Sequence, residues 1–73
     1  MGLYYAPIET LEDGITKPVG ELPPLIAVKH YDEALQRAVI QTHDLVSTPI
    51  PTEWSQVDEA LVNADYPGVL GGA

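Results

Sequence analysis

The residue types most able to do chemistry sit in the run His30-Tyr31-Asp32-Glu33, with His43-Asp44 farther along. Imidazoles and carboxylates bind zinc and relay protons. Zinc needs three or four ligands converging at about 2.0–2.2 Å for nitrogen and oxygen. His30 and His43 are thirteen residues apart. That is roughly 20 Å along a continuous helix at 1.5 Å per residue, so one helix cannot bring them together. The run reads as an acid pair at a helix start with two surface histidines, and no metal is expected.

Nucleophilic chemistry has less support. The chain has no cysteine. His43 and Ser47 are four apart and share a helical face, but no orienting group or oxyanion donor accompanies them. Ser47-Thr48-Pro49 reads more simply as a stop signal. The expectation is a chain that is not an enzyme, takes no cofactor and has no small-molecule substrate.

Composition narrows the partners. Eleven carboxylates face Lys17, Lys29 and Arg37, giving a net charge of −8. Three scattered cations cannot neutralise a run of phosphates, so direct nucleic-acid binding and anionic membrane surfaces are excluded. A basic partner surface is favoured. Hydrophobic residues make up 45%, too many for a wholly disordered chain. No stretch has the pattern of a signal peptide, and none is long and apolar enough to span a bilayer. The expected location is cytoplasmic or virion-associated.

These residues need elements to hold them. Residues 1–24 read as an extended, irregular or short β arm. Leu3 to Leu11 suits a strand, Glu12-Asp13-Gly14 a tight turn, and Ile15 to Val19 a returning strand. Pro7 and Pro18 would confine that hairpin to an edge. Pro23-Pro24 holds an extended path. Residues 25–31 fit strand or helix equally.

Residues 25–66 read as a helical hairpin. Over about 32–46, Leu35, Ala38, Val39, Thr42, Leu45 and Val46 form one helical stripe, with Ile40 off it. Pro49-Ile50-Pro51 makes a stiff elbow. Over about 53–64, Trp54, Val57, Leu61 and Ala64 recur at helical spacing, with Thr52 as N-cap and Asp65-Tyr66-Pro67-Gly68 as the stop. Residues 67–73 read as a flexible tail. The predicted class is mainly α: two short amphipathic helices and an arm.

Two helices leave their backs bare, and a chain this short buries only about 60% of its unfolded surface. The function expected is therefore a non-catalytic structural or interaction subunit docked on a larger, multimeric protein assembly. By analogy with clamping arms, the setting expected is a minor component of a phage-like virion. Tyr4, Tyr5 and Ile8 would anchor the arm. Leu22, Leu25 and Ile26 would continue the contact, with Ile40 and Trp54 as outer anchors of the helices. The alternative is an acidic inhibitor that mimics nucleic acid on a basic partner surface.

Overall fold

A computed structural model of the chain describes residues 2–20, 25–43 and 49–71. It overturns the helical reading. The protein is mainly β: one sheet, curled into a half-barrel, with a single short helix among the described residues. The strands are β1 (Leu3–Thr10), β2 (Thr16–Pro18), β3 (Ile26–Asp32), β4 (Arg37–Thr42) and β5 (Ser55–Val57). The helix α1 spans Glu59–Asp65.

The supposed arm supplies the middle of the sheet. One edge of β1 pairs antiparallel with β4, from Leu3 opposite Gln41 to Pro7 opposite Arg37. Its other edge pairs with β5 over Leu3–Tyr5 and with β2 over Ile8–Thr10. Pro7 is tolerated in this central strand because of where its missing donor falls. The Ile8 N–H points to β4, donating to the Gln36 carbonyl at 3.1 Å, and the Pro7 carbonyl points the other way, accepting from Val19. An N–H on residue 7 would face Val19, its partner across the β1–β2 pair, whose carbonyl instead accepts from Trp54 Nε1 at 2.8 Å, so the proline leaves that acceptor satisfied.

The β1–β2 hairpin forms where the sequence places it. Gly14 takes φ +86, its N–H donates to the Leu11 carbonyl, and the Leu11 N–H donates to that of Ile15. Asp13 Oδ1 also accepts from the Ile15 N–H at 3.0 Å. This is the short loop with a left-handed glycine that antiparallel neighbours favour.

The expected helix over 32–46 is instead a second hairpin. β3 returns as β4 through residues 33–36, with Gln36 at φ +54. Asp32 Oδ1 accepts from the Leu35 N–H at 3.1 Å. An acid expected to start a helix thus closes a hairpin loop with the same kind of bond. Ala38, Val39 and Ile40 are consecutive and fully buried. That requires cover on both faces, which a central strand has and a helical stripe does not. Leu45 and Val46, the end of the expected stripe, lie outside the described residues.

Side chains alternate across β1 and β4. Ala6, Ile8, Ala38 and Ile40 fall on one face and form a core with Trp54, against which Tyr4, Ile26, Val28 and Ile50 pack. Trp54 closes this face. Its Nε1 donates to the Val19 carbonyl at 2.8 Å, and its ring lies 6.2 Å from that of Tyr4. Gly20 permits the adjoining turn: it has φ +98, and a Cβ there would lie 3.0 Å from the Pro51 Cβ.

Leu3, Tyr5, Arg37 and Val39 fall on the opposite face, which α1 covers. The second predicted helix is thus halved. Its first part is β5, and α1 begins only after Asp58, whose Oδ1 caps it by accepting from the Leu61 N–H at 2.8 Å. Val62 is its buried residue and Leu61 is exposed, the reverse of the expected stripe. The stop signal holds: α1 ends at Asp65, and Gly68 takes φ +84. Among the described residues, no helix is long and apolar enough to cross a membrane.

Candidate functional site

The densest polar constellation lies where α1 meets the sheet. β1 contributes Tyr5, β3 His30 and Asp32, β4 Arg37, and the end of α1 Asp65 with Tyr66. The register makes this convergence: Tyr5 sits opposite Val39, Asp32 opposite Arg37, and His30 opposite Val39. Arg37 Nε donates to the Tyr66 hydroxyl at 2.9 Å. That hydroxyl in turn donates to Asp32 Oδ2. The Tyr5 hydroxyl donates to Asp65 Oδ2 at 2.8 Å, and Arg37 Nη2 lies 3.6 Å from the same oxygen. The guanidinium sits 4.1 Å from the Tyr5 ring centroid, a cation–π arrangement. Tyr5 and Tyr66 meet edge to face at 5.9 Å, and the His30 ring lies 4.9 Å from Tyr66.

The protonation preferences follow from these contacts. Burial, then Asp65, pushes the Tyr5 phenol up to about 12. Burial, then the Asp32 bond, raises Tyr66 as well. The Tyr66 hydroxyl holds Asp32 below its usual value and raises Arg37. Each shift entrenches the state the group already has at neutral pH. A general acid or base needs the opposite, a pKa drawn toward the working pH. The arrangement fits a clamp that pins a helix to a sheet.

Sequence reasoning passed over most of this clamp. By sequence alone Asp32 reads as part of a helix start, His30 as a surface group, Tyr5 as a partner anchor and Arg37 only as one of three scattered cations. Only the register brings them to Tyr66.

Among the described residues, no group of three or more His, Cys, Asp or Glu could hold an ion. His30 pairs opposite Val39, four residues along β4 from His43, a separation of roughly 13 Å at 3.3 Å per residue. Asp44 and Ser47 lie outside the described residues. A depression of about 340 Å³ is lined by Gly2, Leu3, Gln41, Gln56, Val57, Asp58 and Glu59. Its Asp58 is occupied in capping α1.

The expected partner anchors are scattered by the fold. Ile8, Ile40 and Trp54 are buried in the chain's own core, with Tyr4 and Ile26 packed against it. Tyr5 is held in the clamp. Leu22 lies outside the described residues. Leu25 is 62% exposed and takes φ +59 at the start of β3.

A different apolar surface emerges. β1 and β4 run antiparallel, so the β1–β2 turn and the β3–β4 loop project from the same end of the sheet. Leu11 and Ile15 flank the first and are 40% and 59% exposed; Leu35 in the second is 61% exposed. Glu12, Asp13 and Glu33 stand among them, and residues 11–16 and 33–36 contain no Lys or Arg. Hairpin tips are ordinarily polar, because nothing in the fold rewards an aliphatic side chain there.

No family model, no curated protein and no solved structure matches the chain.

Proposed function

We propose that this protein is a non-catalytic interaction subunit that docks on a larger protein assembly through its hairpin-tip end. The carrying observation is the placement of Leu11, Ile15 and Leu35, three exposed aliphatic residues on two tips at one end. Exposed apolar groups rimmed by polar ones are the usual signature of a protein-binding surface. The carboxylates between them favour an apolar depression edged with Lys or Arg. The virion setting drew on a free clamping arm. With β1 in the middle of the sheet, that analogy has no arm to rest on.

Nucleic-acid mimicry gains little from the fold. It needs carboxylates converging on one surface. Glu12, Asp13 and Glu33 lie at the tip end, whereas Asp58 and Glu59 lie at the other, beside Leu3. Asp32 and Asp65 are engaged by the tyrosines.

Photo-crosslinking tests the proposal. A photoreactive residue at position 15 or 35 is expected to capture a partner that one at position 59 does not. The pair Ile15→Ser and Leu35→Ser should weaken that capture at least tenfold, with the fold unchanged, since both sites are exposed. Capture that is equal from position 59, or indifferent to both substitutions, refutes the proposal.

A further inference from the structure

β3 forms one margin of the sheet, pairing with β4 on its inner edge; no described strand pairs with its outer edge. The other margin is shared by β2 and β5, three residues each, so seven-residue β3 is the longest open edge. Such an edge is a template for another strand.

The β3–β4 ladder contains one surplus residue. Ile26, Ala27 and Val28 pair with Thr42, Gln41 and Ile40; His30, Tyr31 and Asp32 pair with Val39, Ala38 and Arg37. The β4 numbers run without a break, and Lys29 is left over as a bulge. Removing it would leave Val28 on the core face and His30 on the α1 face, each opposite its present partner. The loop bonds of Asp32 with Leu35 and of Glu33 with Gln36 lie elsewhere. Neither side-chain alternation nor hairpin closure therefore requires Lys29.

The outer edge is where it matters. The His43 N–H donates to the Leu25 carbonyl, so residues 25 and 27 bond inward, and Ile26 and Val28 turn their N–H and C=O outward. Past the bulge the next outward residue is Tyr31. The two-residue spacing that a neighbouring strand needs slips to three at Lys29. Lys29 is also exposed. Lys17 pairs with Glu9 and Arg37 with Asp65, which leaves Lys29 the one cation without an ion pair among the described residues. Two copies aligned β3 to β3, antiparallel about this point, would set one Lys29 ammonium against the other.

We infer that Lys29 guards this edge: its bulge and its charge keep β3 from pairing with β3 of a second copy of the chain. This goes beyond the tip-end docking, which uses another surface.

Deletion of Lys29 tests it, read by sedimentation and by amide exchange. The deleted chain is expected to keep its far-ultraviolet spectrum, to double its sedimenting mass where the parent is a monomer, and to slow exchange at the Ile26, Val28 and Tyr31 amides at least tenfold. Lys29→Val removes the charge but keeps the chain length, and is expected to self-associate more weakly than the deletion yet measurably. A folded, monomeric deletion overturns the inference. If the deletion does not fold, a strictly monomeric Lys29→Val with parental exchange at those amides overturns it instead. So does a parent already dimeric with those amides protected.

Discussion

The Tyr66 hydroxyl donates to Asp32 Oδ2 across 34 positions of sequence, tying the end of α1 to the last residue of β3. The Tyr66 hydroxyl oxygen itself accepts from Arg37 Nε. A seven-residue helix is far too short to persist alone. Its place depends on this hydroxyl, on buried Val62 and on the Asp65 contacts.

Tyr66→Phe removes both bonds while keeping the ring. One partner is a carboxylate and the other a guanidinium, so the loss should be about 2–3 kcal/mol. At about 4–8 °C per kcal/mol for a domain of this size, thermal unfolding will show a large drop. Tyr5→Phe breaks a more exposed bond to Asp65 and should cost less, about 1 kcal/mol.

Acid should narrow the difference between Tyr66→Phe and the parent to the share carried by the Arg37 bond. Asp32 is depressed in the folded state, so its contribution is present above the unfolded carboxyl value, about 3.9. It is lost as pH falls through the lower folded value. Denaturant midpoints of the two proteins should be farthest apart at neutral pH and draw closer below about pH 4. A constant gap into strong acid would remove Asp32 from the clamp.

Alkali acts through the phenols. Tyr5 is pushed up to about 12 when folded and has a value of about 10 unfolded. Its contribution is complete below the unfolded value and disappears as pH rises through the folded one. Stability should fall between about pH 10 and 12, less steeply in Tyr5→Phe. Tyrosinate absorbance in the parent minus that in Tyr5→Phe should report a phenol titrating near 12.

Trp54 closes the core face, so Trp54→Ala should cost about 3–5 kcal/mol. Trp54→Phe retains much of the volume but leaves the Val19 carbonyl without its indole donor, a loss of about 1–3 kcal/mol. Urea denaturation of the isolated chain measures both. Unchanged midpoints would mean that the ring is not buried against this core.

Gly20→Ala meets two obstacles: a left-handed backbone and Pro51 at 3.0 Å from the new Cβ. Gly14 has the left-handed backbone and open space around it. Gly14→Ala should therefore cost about 1 kcal/mol, and Gly20→Ala distinctly more. Equal losses would deny the contact between Gly20 and Pro51.

Local signals were legible in the sequence, and pairing was not. Glu12-Asp13-Gly14 marks the first hairpin because a turn is written in neighbouring residues. The stop at Asp65-Tyr66-Pro67-Gly68 is local in the same way. The helix predicted over 32–46 failed because Ala38 and Val39 suit a helical stripe and a doubly covered strand equally. Ile40, which no single stripe could accommodate, was the signal that both sides are covered. Residues 53–64 misled through Trp54 and Val57, whose helical spacing from Leu61 is incidental: Trp54 belongs to the core face, Val57 to β5, and the true cap is Asp58. The clamp could not be read at all. Tyr5, Asp32, Arg37 and Tyr66 are meaningless as a group until β1, β3 and β4 are in register.

Amide exchange on the purified, isolated chain bears on all of this at once. A self-contained fold predicts that β1 and β4 amides facing the ladder, such as Ala6, Ala38 and Ile40, are protected to the level of global unfolding in a monomer, with no partner present. Uniformly fast exchange at those amides, with protection appearing only after another protein is added, would show that the sheet does not stand alone and would contradict the account.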